Sequence, residues 1–175
     1  MSSYLYTFSA TGVSLLFLVS AVSKTIGFRS FIAALRSFAV VPNRFIRPTA
    51  LAVVVSELAI TLTVVVGGQA AIVGFVLSIA SLLVYSVLIV STLRTHRHVV
   101  CNCFGPSEQR VSPWDIGRNA TIVMISVSAL VFGSANSWYI SFQLPVLPIA
   151  FFAAVTIVIL VINFRDIGLA LVRDL

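Results

Sequence analysis

Residues 49–93 read TALAVVVSELAITLTVVVGGQAAIVGFVLSIASLLVYSVLIVSTL, two apolar runs that are separated by a Gly-Gly-Gln turn and contain one charged residue, Glu57. Each run is near the ~20 residues that an α-helix needs to cross the hydrocarbon core of a bilayer. Neither run alternates apolar and polar residues as a strand of a membrane β-barrel does. The stretch therefore predicts two membrane-spanning helices, over 49–66 and 70–93.

The rest of the chain is also rich in apolar residues and poor in charged ones. It is 175 residues long, 59% hydrophobic and only 9% charged, whereas soluble domains are about 25% charged. Three more apolar runs predict spans over 8–26, 114–132 and 146–164. The predicted fold class is all-α: a polytopic membrane helical bundle of about five transmembrane helices, in a single domain over 1–175.

A different kind of helix is predicted between the first two spans, over 30–41. Ser30 is a suitable N-cap, Phe31 and Leu35 fall on one apolar face, and Pro42 stops the helix. The segment is too short to span, so we expect an amphipathic helix that lies in the membrane interface. The alternative is a helix that packs on the bundle outside the membrane.

The basic residues indicate the topology. All 11 Lys and Arg residues lie at the end of span one or between spans one and two, around the loop 94–112, or after span five. The N-terminus, the turn at 67–69 and the loop 133–144 carry none. The positive-inside rule then places the N-terminus outside and both the loop 94–112 and the C-terminus on the cytoplasmic side. Basic residues in these positions contact anionic lipid headgroups, so the net charge of +6 does not indicate nucleic-acid binding.

The loop 94–112 contains both cysteines of the chain, Cys101 and Cys103, in a Cys-x-Cys pair. Such a pair can form a disulfide, bind a soft metal ion or remain unused. Disulfide-bonded cysteines have Cα atoms about 4.4–6.8 Å apart, and an extended pair two residues apart is near the upper limit. The loop must bend to close the bond, and strained disulfides are easier to reduce. The spacing therefore favours thiol–disulfide exchange, with Cys101 and Cys103 as the catalytic residues.

The fourth predicted span begins just after this loop. Ser112 can cap the helix, Pro113 suits its first position, and Asp115 completes an approximate capping box. The positive end of the helix dipole and Arg118 would both favour a thiolate if the loop folds back over this end. We therefore include Arg118 among the predicted catalytic residues.

Glu57 is predicted to be functional because an ionised carboxylate in the middle of a span is costly without a partner. We expect it to face the bundle interior, with Lys24 as a candidate partner because a lysine side chain can extend along its helix. Two interpretations stay open: Glu57 handles protons, a role that His98 could share, or it is a hydrogen-bonded acid that joins helices.

Two other functions compete with redox exchange. With His96 and His98, the two thiols could bind or transport a soft metal ion (zinc, copper or mercury), since thiolate and imidazole are the ligands such ions prefer. The second alternative is a non-catalytic membrane subunit that assembles with a partner, in which the thiols have no role.

The chain resembles the MauE (methylamine utilisation) family, within the DoxX-like group of small redox-associated bacterial membrane proteins. The resemblance is carried by Ser23-Lys24 at the end of span one, the Phe-rich short helix that ends at Pro42, Glu57 in span two, the Cys-x-Cys-Phe-Gly sequence of 101–105, and Arg118-Asn119. It covers most of the chain.

This resemblance implies a helical bundle in the bacterial inner membrane with the thiol loop at one end. Family members are thought to help mature a periplasmic quinoprotein dehydrogenase with a disulfide-rich subunit, alongside a thioredoxin-like protein. The expected partners are thus the lipid bilayer, a thioredoxin-like protein and a disulfide-rich client. No cofactor is evident, although a quinone could accept electrons from the pair.

The likeness and the charge pattern disagree on sidedness. A periplasmic client needs thiols that are reachable from outside, whereas the basic residues place the loop 94–112 inside. Either the loop dips into the bundle and is reached from both faces, or the protein carries reducing equivalents outward.

Overall fold

The computed structural model of the chain describes residues 2–38, 41–94 and 112–133, together with 155, 156 and 159. These residues form helices joined by short connections, which confirms the predicted all-α fold class. The described helices are α1 (Ser2–Ile26), α2 (Phe28–Phe38), α3 (Ile46–Val66), α4 (Gly68–Arg94) and α5 (Pro113–Gly133), and a 3-10 turn covers Asn43–Phe45.

Four of these helices, α1, α3, α4 and α5, are long and apolar enough to cross a membrane. They correspond to the first four predicted spans, and each begins a few residues before its apolar run. The fifth predicted span, 146–164, lies outside the described residues apart from three positions. The four helices make the chain a multi-pass membrane protein, and the fifth span and the single domain stay predictions.

The short helix α2 begins two residues before the predicted segment 30–41, directly after Gly27. One face of it is buried through Phe31 and Ala34, while Arg29 and Arg36 are exposed. This face packs mainly against α3 and also touches α1. The predicted amphipathic helix is therefore present, and its placement in the membrane interface stays a prediction.

The connection between α3 and α4 requires glycine. Gly67 and Gly68 have φ angles of 77° and 59°, in the left-handed region that other residues rarely adopt. The Gly67 N–H donates to the Thr63 carbonyl at 3.3 Å and caps α3. The two helices therefore follow one another with no intervening loop and form an antiparallel hairpin.

The four long helices pack as a closed ring in which α1 and α4 each contact both α3 and α5. Pairs of hydrogen bonds show that neighbouring helices are antiparallel. Between α4 and α5, Ser78 contacts Ser126 while Ser86 contacts Asn119. Between α1 and α3, the Ser14 carbonyl contacts Thr61 while Lys24 contacts Glu57. The end of α1, the start of α3, the end of α4 and the start of α5 thus share one end of the bundle. We call it the loop end, and the opposite end, with Gly67 and Gly68, the turn end.

The interior of the ring is mainly apolar, with buried serine and threonine hydroxyls along its length. Its buried core consists of Tyr6, Ala10, Val13, Leu16, Phe17, Ile60, Val64, Ala71, Phe75, Leu82, Ile122 and Ala129. Large apolar side chains also cover the outside, for example Leu62, Val87 and Met124, each more than 60% exposed. An apolar exterior of this kind fits contact with lipid tails.

Candidate functional site

A buried ion pair joins α1 to α3 toward the loop end of the bundle. The ammonium Nζ of Lys24 lies 2.5 Å from the carboxylate Oε1 of Glu57, and the two residues are 2% and 1% exposed. Lys24 is in the last turn of α1, and its side chain extends into the bundle to meet Glu57 in the middle of α3. The structure thus contains the pairing that the sequence suggested.

Further hydrogen bonds converge on the same carboxylate oxygen. The hydroxyls of Ser20 and Tyr85 donate to Glu57 Oε1 at 3.1 and 3.2 Å, and Lys24 also donates to Ser20 at 2.6 Å. Helices α1, α3 and α4 are therefore held by one oxygen atom. The other oxygen, Oε2, is buried and has no hydrogen-bond partner among the described residues.

Two aromatic rings face the lysine. Lys24 Nζ lies 5.6 Å from the ring centroid of Phe31 and 5.8 Å from that of Tyr85. A cation over an aromatic face is stabilised by the negative charge of the ring surface. Helix α2 therefore contributes to the site, because it supplies Phe31.

A cavity of about 30 Å³ adjoins the ion pair, between α1, α3, α4 and α5. Its polar lining comes from Ser20, Lys24, Glu57, Tyr85, Arg118 and Asn119, and its apolar lining includes Leu16, Phe17, Leu82, Ile89 and Ile122. A water molecule needs about 10–15 Å³ of such space, so the cavity has room for about two.

The first turns of α5 provide the remaining polar groups. The helix begins as predicted: the Ser112 N–H donates to Asp115 Oδ2 at 2.9 Å, and the Trp114 N–H lies 3.5 Å from Ser112 Oγ. Arg118 lies 3.6 Å from Asp115 in an ion pair. Asn119 is buried and donates to Ser86 Oγ on α4 at 3.3 Å.

Two of the four predicted catalytic residues, Glu57 and Arg118, therefore line the same cavity although 61 positions separate them. The other two, Cys101 and Cys103, lie outside the described residues, as do His96 and His98 of the alternative metal site. The structure describes the residues that flank their segment. Arg94 ends α4 and Ser112 precedes α5, and both lie at the loop end.

Sequence reasoning missed Ser20 and Tyr85. A signal for Ser20 existed, because it lies four residues before Lys24 and so on the same face of α1. Tyr85 is a lone phenol in an apolar span, and nothing in its neighbourhood indicates which way it faces. Among the described residues, no group of His, Cys, Asp and Glu side chains could hold a metal ion.

Comparison with known protein families gives a match to most of the chain. Residues 2–133 match the family described as methylamine utilisation protein MauE. No curated protein and no solved structure matches the chain. The matched range contains all five described helices and the whole cavity.

Proposed function

This chain belongs to the MauE family, and from that premise we propose that it is a membrane thiol–disulfide exchange protein that supports maturation of a disulfide-containing partner. The reactive groups are the thiols of Cys101 and Cys103. The observation that carries the proposal is the position of their loop: both flanking residues, Arg94 and Ser112, lie at the end of the bundle where polar side chains line the cavity.

The exchange proceeds in two steps that conserve thiols and disulfides. The thiolate of one cysteine attacks a disulfide of the partner, which forms a mixed disulfide and releases one partner thiolate. The second cysteine then attacks the mixed disulfide, releases the second partner thiolate and leaves a Cys101–Cys103 disulfide. Run in reverse, the same steps place a disulfide in a partner dithiol.

Support for a reactive thiolate comes from the start of α5. The N-terminus of this helix carries partial positive charge, and Arg118 adds a full positive charge that Asp115 neutralises only in part at 3.6 Å. Positive charge near a thiol stabilises its thiolate form. In the proposal, a thioredoxin-like protein restores the starting redox state of the pair: its dithiol reduces the Cys101–Cys103 disulfide after the forward direction, and its disulfide oxidises the two thiols after the reverse direction.

The proposed location is the bacterial inner membrane with the loop end on the cytoplasmic side. The charge pattern supports this orientation, since the basic residues at 24, 29, 36, 44, 47, 94 and 118 all belong to the loop-end halves of their helices or to connections there. A membrane-impermeant maleimide, applied to intact and lysed cells with and without prior reduction, tests it, because a Cys101–Cys103 disulfide does not react with maleimide. Labelling of both cysteines only after lysis is expected, and labelling in intact cells would reverse the orientation.

The exchange itself is tested with Cys101→Ser and Cys103→Ser. We expect each variant to abolish disulfide exchange with the partner, and the variant that lacks the resolving cysteine to accumulate a mixed disulfide, read on a non-reducing gel. Asn102→Gly is the matched control, because it alters the same loop, keeps both thiols and is expected to keep exchange.

Two results would contradict the proposal. Unchanged partner disulfides in both cysteine variants would leave an assembly subunit as the better description. Stoichiometric zinc, copper or mercury in the purified protein, lost when His96 and His98 are replaced by alanine, would favour the metal-binding alternative.

A further inference from the structure

The hydrogen bonds of Glu57 are divided unequally between its two oxygens. Oε1 accepts from Ser20, Lys24 and Tyr85, whereas Oε2 is buried with no hydrogen-bond partner among the described residues. A buried carboxylate oxygen without a hydrogen bond is costly. The arrangement leaves one lone-pair-bearing atom ready to accept a hydrogen bond or a proton.

The cavity beside Glu57 is suited to water. Its volume of about 30 Å³ fits about two water molecules. Glu57, Tyr85, Arg118 and Asn119 supply the polar partners that bound water needs, and Arg118 lies in the second turn of α5, close to the loop end. The cavity therefore extends from the buried pair toward the start of α5.

We propose that water occupies this cavity and that Glu57 exchanges a proton with it through Oε2, which makes the Lys24–Glu57 pair a buried proton-transfer site. When the proton binds, a hydronium ion in the cavity loses one O–H bond, Oε2 gains one, and a neutral water molecule remains in the cavity. The three hydrogen bonds to Oε1 persist, so no side chain has to move. The neutral acid donates to water through Oε2, and release of the proton reverses the step.

The surroundings of Lys24 allow Glu57 to become neutral. Once the carboxylate is protonated, the lysine charge remains buried without its counter-ion. The rings of Phe31 and Tyr85, at 5.6 and 5.8 Å, and the oxygen of Ser20, at 2.6 Å, then stabilise that charge.

The charged and titratable groups around Glu57 come from three helices. Lys24 faces it from α1, Tyr85 from α4, and Arg118, paired with Asp115, from α5 across the cavity. Lys24, Tyr85 and Arg118 all line the cavity beside Glu57.

The use of the proton rests on the proposed function. Thiol–disulfide exchange converts thiols to thiolates and back, so it needs a group that accepts and returns protons near the loop. The proton site itself concerns only Glu57 and its neighbours, and it is testable without the thiols.

The test is infrared spectroscopy of the full-length protein in lipid nanodiscs, titrated with acid and base in H₂O and in D₂O. We expect a carboxylic-acid C=O stretching band that appears on acidification and shifts in D₂O. Glu57→Gln should remove it. Asp115→Asn is the matched control, since it removes the other carboxylate of the described helices and should retain the band. If Glu57→Gln leaves every such band in place, Glu57 is permanently ionised and the inference is wrong.

Tyr85→Phe gives a second spectroscopic test, in a variant that keeps both Lys24 and Glu57. It deletes one hydrogen bond to Oε1 and keeps the ring, so the C=O band of neutral Glu57 should move to higher frequency. An unmoved band would assign the signal to a different carboxyl group and overturn the inference.

A Cys101→Ser/Cys103→Ser variant separates this inference from the proposed function. The acid-dependent Glu57 band should persist in it, because the site does not involve the thiols. Loss of the band would contradict a thiol-independent site. Whether partner exchange fails in the same variant decides the proposed function independently.

Discussion

The loop end and the turn end of the bundle hold the same helices together by different means. At the turn end, Tyr6 and Phe75 meet edge to face, with ring centroids 6.2 Å apart, in a core of small and apolar side chains. Toward the loop end, a fully buried ion pair between Lys24 and Glu57 joins three helices with help from Tyr85.

The two ends of the bundle are expected to contribute differently to its stability. Lipid tails are as apolar as leucine, so close packing, together with the hydrogen bond between Ser9 and Ser128, stabilises the turn end. A buried ion pair is a poor source of net stability, because desolvation of its charges opposes their attraction. An apolar core would stabilise the bundle at the loop end as well as at the turn end, so stability alone does not explain the buried charges there.

The largest effect is expected when the ion pair is broken from one side. Lys24→Met leaves Glu57 buried without a counter-ion and should lower the free energy of unfolding by about 3–5 kcal/mol. Unfolding in mixed detergent micelles of increasing denaturing fraction measures it.

A double variant checks the cause. Lys24→Met combined with Glu57→Gln removes both charges and should recover most of the stability lost in Lys24→Met. A double variant as unstable as Lys24→Met would mean that packing of the lysine chain, not the lost pairing, explains the loss.

Overpacking at the turn end should lower the free energy of unfolding by less than Lys24→Met does. A Cβ atom on Gly74 would lie 2.6 Å from Thr63 Oγ1 and 2.7 Å from Val64 Cγ2, so Gly74→Ala should push α4 away from α3. The expected loss is about 1–3 kcal/mol, measured by the same unfolding experiment. Gly12→Ala is the control, because no described atom lies within 4 Å of its Cβ position; equal losses in both would refute the packing explanation.

Removal of one hydrogen bond at the loop end should lower the free energy of unfolding by less than Gly74→Ala does. Tyr85→Phe deletes the donor to Glu57 Oε1 at 3.2 Å and keeps the ring that faces Lys24. We expect a loss of about 1 kcal/mol. In a Glu57→Gln background the same change should have a smaller effect, and an undiminished effect would show that the hydroxyl acts through another group.

The smallest effect is expected for a hydrogen bond between neutral side chains. Ser126→Ala removes the contact with Ser78 at 3.0 Å between α5 and α4. Interhelical hydrogen bonds in membranes average about 0.6 kcal/mol, so the change in unfolding free energy should be near that value. A loss as large as that of Lys24→Met would overturn the contrast between the two kinds of contact.

The sequence predicted the helices well because their limits have local causes. Gly67 and Gly68 mark the α3–α4 turn, and Ser112 with Pro113 marks the start of α5, all through backbone chemistry that is visible in a few residues. Glu57 was identifiable for a similar reason, since a carboxylate in an apolar span needs a partner wherever the helices lie.

The rest of the site depends on how the helices are rotated. Helix α4 is apolar on all sides, so its sequence does not indicate that Tyr85 turns inward while Val84 is exposed. Arg118 was selected for its place near the cysteine loop, and its shared cavity with Glu57 follows only from the ring order of α1, α3, α4 and α5.

The two-glycine turn also bears on how the protein is made. With no loop between them, α3 and α4 are expected to enter the bilayer together as one hairpin, and their connection carries no charge that would oppose its passage. By then α1, with Lys24 near its end, has already been synthesised. Lys24 is therefore available to pair with Glu57 when the hairpin inserts, so the carboxylate does not have to enter the bilayer without a counter-ion.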